Sequence, residues 1–270
     1  QPCSSAASDV YKRQVAKYIA TSTLEAGLDV KSMAETSTKV FILEVMGRHA
    51  GWIAAASCLA ATKPGDPPHI ILLPEVPFEK NKFIAQVKQT IKKQGYCVIV
   101  ASEGTQTKNG KFLADSGLRD AFGHKQLGGV APVLADMISR IGLKNHWAVA
   151  DYLQRSARHI ASQTDLDQAY AVGEHAVKLA IAGKTALMPI IKRTNDSPYK
   201  WKIATAPLKN VANIEKTMPK KFISKSGFEI TQAGKTYLSP LIKGEAPIKY
   251  VNGLPDVAEL KKVKVEKKLN

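Results

Sequence analysis

The sequence predicts an α/β fold, a parallel sheet with helices on both faces. Three observations carry that prediction. The apolar segments VFILEV (40–45) and YCVIVASEG (96–104) show no polar alternation, as expected of strands covered on both sides. Segments of helical periodicity separate them. Three of the strands run straight into polar turns: MGR after the first, SEG after the third and DYLQR after the fourth. In open parallel sheets, ligands sit beyond the C-terminal strand ends, so this coincidence also predicts where a site lies.

The elements follow in order. Val15, Ile19, Thr23, Ala26 and Val30 recur at helical spacing over 15–34, and Thr36 to Thr38 break the pattern before the VFILEV strand. HAGWIAAASCLAA reads as a small-residue helix, closed by Lys63, Pro64 and Gly65. HIILLPE (69–75) is a second buried strand, ended by Pro74. Residues 78–94 read as an amphipathic helix with Phe83, Val87 and Ile91 on one face and Gly95 as its stop. YCVIVASEG (96–104) is the third strand. The polar, Gly-rich stretch 105–126 is expected to be a loop or flap. A helix over 127–141 and a strand from His146 into a polar loop at DYLQRS follow. A helix over 164–183 has Thr164 as its expected cap, with Asp165 and Asp167 favouring its positive end. TALMPII (185–191) reads as another strand. Beyond 195 the alternation weakens, and SGFEITQAGKTYLSPLIKG suggests a turn and a short helix. The domain reading is a leader at 1–14, an α/β domain at 15–195, and a basic extension at 196–270 that frays from about 258.

QPCSSAASDVYKRQ has no clear periodicity and resembles non-native adapter sequence, so the native chain is expected to begin upstream. The 270 residues carry 44% hydrophobic and 23% charged residues, a globular balance, with no apolar run of the roughly 20 residues that cross a bilayer. The formal charge is +16, and from residue 184 onward 18 Lys and Arg stand against 7 Asp and Glu. Such an excess suits anionic partners, whether a small phosphorylated substrate, a membrane surface or nucleic acid. Cys3, Cys58 and Cys97 have no metal-ligand spacing. Cys58 and Cys97 fall in apolar elements, so a cytoplasmic protein without disulfides is expected. The six histidines show no ligand spacing for zinc either.

The strand-end residues suggest a chemistry. Gly47 lets a ligand approach backbone whose amides at a helix start attract anions. Arg48 adds a planar donor fork suited to phosphate or to clustered hydroxyls. Glu103 accepts from hydroxyls, while Tyr152 and Arg155 offer an aromatic hydroxyl and a second cation. Together they describe a phosphorylated polyol better than a nucleobase.

VMGRHAGW, the SEG turn and DYLQRS, in this order and with these separations, resemble the phosphofructokinase family, especially its longer pyrophosphate-dependent branch. The resemblance extends over about 15–255, including WKIATAPLKNVANIEKTMP and YVNGLPDV. It implies a Rossmann-like phosphofructokinase fold, mainly the part that binds fructose 6-phosphate. Met46, Gly47 and Arg48 match the turn that contacts the sugar phosphate. Glu103 matches the carboxylate that binds its hydroxyls, and Tyr152 and Arg155 the two positions reaching the sugar and its 6-phosphate. Lys39 falls where a basic residue reaches a neighbouring subunit's substrate. Tyr152 replaces the histidine of ATP-dependent bacterial members, and His146 falls near a phosphate-binding arginine, with Lys144 as the nearby substitute.

The family's donor half is expected upstream: no GGD loop, TIDND motif or P-loop occurs here. The base aspartate and the ligands of Mg2+ are therefore expected outside this chain, which carries no catalytic residue and is expected to be inactive alone. The resemblance implies a cytoplasmic glycolytic phosphotransferase that makes fructose 1,6-bisphosphate from fructose 6-phosphate, with pyrophosphate as the preferred donor and ATP the alternative. It also implies a homodimer or tetramer. A non-catalytic sugar-phosphate or nucleic-acid binding module is the rival reading. Its nucleic-acid form ranks well behind, because the few aromatics of the basic third form no RNA-binding motif.

Overall fold

A computed structural model describes residues 4–119, 125–127, 129–212, 214–257 and 261–264. Cys3 and most of the tail from 258 lie outside them. In chain order the elements are α1 (Ser4–Met33), β1 (Val40–Val45), α2 (Trp52–Ala56), β2 (Ile70–Leu72), α3 (Lys80–Gln94), β3 (Cys97–Ser102) and β4 (Asp115–Arg119). Then come β5 (Lys125–Leu127), α4 (Val130–Ser139), β6 (Asn145–Val149), α5 (Leu153–Ser156) and α6 (Gln163–Ile181). The chain continues through β7 (Leu187–Asp196), β8 (Tyr199–Pro207), α7 (Gln232–Leu238), β9 (Tyr250–Val251) and β10 (Leu254–Pro255).

The centre is a four-stranded parallel sheet in the order β2-β3-β1-β6. Alternation along β1 separates two cores. Val40 and Ile42 pack with Phe83, Val87, Val130, Leu134 and Ile138 from α3 and α4. Leu43 and Val45 face the other way, with Val15 and Ile19 of α1, Ile53 and Ala54 of α2, and Met218 and Phe222 from the C-terminal third. Burial of the strands on both faces explains why their sequences carry no alternation.

β1 and β3 occupy their expected places, and Gly95 ends α3 in a left-handed conformation with its amide on Ile91 O. Several expectations need correction. The α1 helix begins at Ser4, well ahead of the periodicity, because nothing between Ser4 and Val15 is a Gly or Pro that would stop it. The helix after the first turn is short, α2 followed by a 3-10 turn at Ser57–Ala60. On α3 the third buried position is Thr90, and Ile91 is only partly covered. The stretch read as a flap contains the antiparallel pair β4–β5, with part of its connection outside the described residues. The segment at 185–191 does enter a strand, but one outside the central parallel sheet. It opens β7, which pairs antiparallel with β8 in a separate ribbon, so the boundary drawn at 195 falls inside one hairpin. Ser162, not Thr164, caps α6: its Oγ accepts from Asp165 N at 3.1 Å.

Cys58 and Cys97 are buried thiols. Burial pushes Cys58 up to about 12 and Cys97 well above the ordinary range, so both act as small apolar groups. Among the described residues no helix is long and apolar enough to cross a membrane.

Candidate functional site

The register sets the ends of three strands level. Val45 pairs with Ser102, Glu44 pairs with Val149, and Ala150 N continues the ladder to Glu44 O at 2.9 Å. The turns Met46–Arg48, Glu103–Gly104 and Asp151–Arg155 therefore leave the sheet side by side. They are also bonded to one another. Gly47 N donates to Glu103 Oε1 at 3.1 Å, Ser102 Oγ donates to Gly47 O at 2.5 Å, and Met46 N reaches Gln154 Oε1 at 3.4 Å.

Two glycines permit this convergence. Gly47 has φ +140, and a Cβ there would lie 2.8 Å from Ala50 O and 2.9 Å from Ser102 Oγ. A Cβ on Gly104 would stand 1.8 Å from Arg48 O, so the SEG turn and the MGR turn touch backbone to backbone.

Arg155 lies over the Tyr152 ring at 4.2 Å, and Tyr152 is 62% exposed. This pair projects as a unit beyond β6, its planar guanidinium oriented by the ring. Behind it, Gln154 is fully buried, and its Nε2 donates to Asp151 O at 2.8 Å. Asp151 has φ 34, a left-handed conformation uncommon for a side chain larger than glycine. That reversal turns the chain abruptly from β6 into α5 and places Tyr152 at the edge of the cluster.

The structure brings Met46, Gly47, Arg48, Glu103, Tyr152 and Arg155 to one sheet edge. Lys39 is not among them. It precedes β1, with its amide on Lys144 O at 3.1 Å, about 20 Å from Met46 at the rise of a strand. His146 pairs with Phe41 near that far end, and Lys144 Nζ donates to Ser37 Oγ at 2.9 Å, so neither reaches this chain's own turn.

A second correction concerns the backbone amides expected to attract an anion. Gly47 N is taken by Glu103. Gly51 N, at the start of α2, is held by Glu75 Oε1 and Oε2 at 3.0 and 3.1 Å. Both glycine amides of this edge are thus held by carboxylates, and its cationic side chains are those of Arg48 and Arg155. Sequence reasoning missed Glu75 and Gln154. Glu75 was readable as a carboxylate closing the IILLPE strand, the same placement that singled out Glu103. Gln154 lay inside DYLQRS but carries no charge to attract notice.

Glu44 faces the α4 side of the sheet, 5% exposed, with Oε2 accepting from Ala131 N at 2.8 Å. Burial pushes its carboxyl above the ordinary range, a trend that the Ala131 bond opposes and nearby Glu103 reinforces. Among the described residues no group of three or more His, Cys, Asp or Glu could hold a metal ion. These residues do not fit a magnesium site.

Comparison with known proteins gives a consistent picture. The phosphofructokinase family model matches residues 20–180. A pyrophosphate--fructose 6-phosphate 1-phosphotransferase of Halomonas elongata is 62% identical over 256 residues, 94% of this chain and 61% of that protein. One of the same name from Methylococcus capsulatus is 57% identical over an equal share of both chains. The crystal structure of a pyrophosphate-dependent phosphofructokinase from Marinobacter aquaeolei superposes with a TM-score of 0.84 at 57% identity, covering 95% of this chain and 61% of that one. The chain thus spans about three-fifths of the length of these relatives. With the family model matched over most of the sheet and the strand-end turns in place, the chain belongs to the phosphofructokinase family.

Proposed function

We propose that this chain is the acceptor-sugar part of a pyrophosphate-dependent 6-phosphofructokinase. In that reaction the 1-hydroxyl oxygen of fructose 6-phosphate attacks a phosphorus of pyrophosphate. Inorganic phosphate leaves and fructose 1,6-bisphosphate forms. The observation that carries the reading is the 62% identity, over 94% of the chain, to a relative named for that donor and that acceptor. The knitted strand ends support it chemically. Arg48 and Arg155 offer two guanidinium forks for the 6-phosphate. Glu103 Oε1 fixes the Gly47 amide, and its Oε2 takes no hydrogen bond from a described residue, so it is placed to accept from sugar hydroxyls. Tyr152 supplies a hydroxyl at the rim. Lys39, at the far end of β1, is proposed to serve a neighbouring subunit's substrate in a homodimer or tetramer.

The base that takes the 1-hydroxyl proton, and the groups that hold the donor, are proposed to lie outside these residues. Mg2+, which would neutralise the charge on the pyrophosphate, is proposed to be held there as well. A cytoplasmic location goes with the glycolytic role as part of the same proposal.

The test is fructose 6-phosphate binding by calorimetry in the full-length protein containing this chain. Arg48→Ala and Arg155→Ala should each weaken binding about thirtyfold or more, the loss of a charge-assisted phosphate contact. Unchanged affinity in both variants overturns the assignment.

A further inference from the structure

We infer that Glu75 is a positioning residue for the acceptor site, acting by clamping residues 215–218 against the turn that carries Arg48. The inference rests on the sugar-phosphate reading above. One half-buried carboxylate binds both partners: its oxygens accept from Gly51 N at 3.0 and 3.1 Å, and Oε1 also accepts from Met218 N at 2.9 Å. Gly51 lies three residues past Arg48, so Glu75 fixes the distal end of the same turn that Glu103 fixes at Gly47.

The clamped segment touches the turn at two further points. Trp52 Nε1 donates to Lys216 O at 2.7 Å, and His49 Nδ1 lies 2.5 Å from Glu215 Oε1. His49, Gly51 and Trp52 are thus tied to Glu215, Met218 and Lys216, with Glu75 supplying the middle tie. The segment is anchored beyond these contacts, because the Met218 side chain is 3% exposed in the core and Phe222 stacks edge-on to Trp52 at 6.2 Å. Removing the Glu75 carboxylate would leave the amides of Gly51 and Met218 without acceptors and release the covering segment. The backbone from Gly47 to Gly51 would then lose its side-chain tie at Gly51, keeping there only the helix bond from Ala55 N to Gly51 O. Arg48 sits in the middle of that span, so its reach toward a phosphate would become variable.

The carboxylate also has an electrostatic consequence. Its charge stands at the amide end of α2, where it holds the Gly51 N–H.

The experiment uses the full-length protein, with Glu75→Ala, Glu75→Gln, Glu215→Ala and Arg48→Ala. Steady-state kinetics would give KM for fructose 6-phosphate and for pyrophosphate, and amide hydrogen exchange would follow peptides covering 46–53 and 214–220. Glu75→Ala should raise the fructose 6-phosphate KM about tenfold, keep the pyrophosphate KM within about twofold, and lose protection in both peptides. Glu75→Gln retains one acceptor oxygen and should fall between. Glu215→Ala removes only the exposed tie and should shift the same KM by a smaller factor at unchanged Tm.

If both peptides lose protection while the fructose 6-phosphate KM stays put, the clamp is purely structural and the inference fails. It fails equally if both KM values rise together. Should Glu75→Ala not fold, the Gln and Glu215 variants decide alone. An unchanged fructose 6-phosphate KM in Arg48→Ala overturns the acceptor-site reading itself, whatever the exchange data show.

Discussion

Gly104 carries the tightest constraint at the strand-end cluster, since an added methyl would overlap Arg48 O at 1.8 Å. The contact is with backbone, which cannot rotate aside as a side chain would. Gly104→Ala should therefore displace the MGR turn, cost about 3 kcal/mol of stability by overpacking, and abolish fructose 6-phosphate binding. Thermal melts with a parallel binding titration would check both effects; an unshifted Tm with intact binding would show that the turns are less tightly locked. The charged residues and Gly47 were legible because each was chemically conspicuous at a strand end. Glu75 and Gln154 were not, because their work is to satisfy amides brought close only by the fold, and a single sequence does not display that proximity.

Elements were most legible where one physical signal dominated. The β1 strand was readable to the residue because its apolar run ends abruptly at MGR, and α3 because Gly95 supplies the left-handed stop. Competing signals produced the errors. Thr164 and Ser162 are both capping types, two residues apart, and the choice depended on tertiary structure. Ser162 Oγ also donates to Leu241 O at 2.7 Å, so the same hydroxyl starts α6 and ties it to the turn after α7. Ser162→Ala should destabilise the protein by about 1–2 kcal/mol, while Thr164→Ala should be near neutral. Chemical denaturation of both variants distinguishes them. The β7–β8 ribbon was misread for a related reason. Its first arm, LMPII, looks like a buried sheet strand, but its side chains are mostly half-covered and its partner lies across a turn at 197–198.

At the scale of the molecule, the central sheet carries two titratable groups that the proposed chemistry does not use, buried Glu44 and half-buried His69, and the two act in opposite senses on stability. His69, entering β2, accepts from Val98 N through Nδ1 at 2.9 Å and stands edge-on to Tyr96 at 4.9 Å. Burial lowers its pKa from 6.5, although a contact with Gly65 O and the nearby Asp66 favour the proton. The folded state therefore prefers neutral His69. Its contribution is complete above pH 6.5 and is lost as pH falls through the lowered folded value, where the unfolded chain binds the extra proton. Glu44 is the reverse case. Burial raises its pKa from 4.5, so the folded state holds the proton more tightly, and stability declines as pH rises from 4.5 through the folded value. The two slopes have opposite signs, the His69 slope lying below pH 6.5 and the Glu44 slope above pH 4.5. Glu44→Gln keeps an oxygen for Ala131 N and removes the buried charge, so it should gain stability over wild type above pH 4.5 and leave the acid-side slope intact. His69→Asn, whose Oδ1 can still accept from Val98 N, should remove the slope below pH 6.5 and expose the fall due to Glu44. Tm measured across pH 4 to 8 in the three proteins tests the assignment. Parallel curves would show that neither buried group controls the acid response.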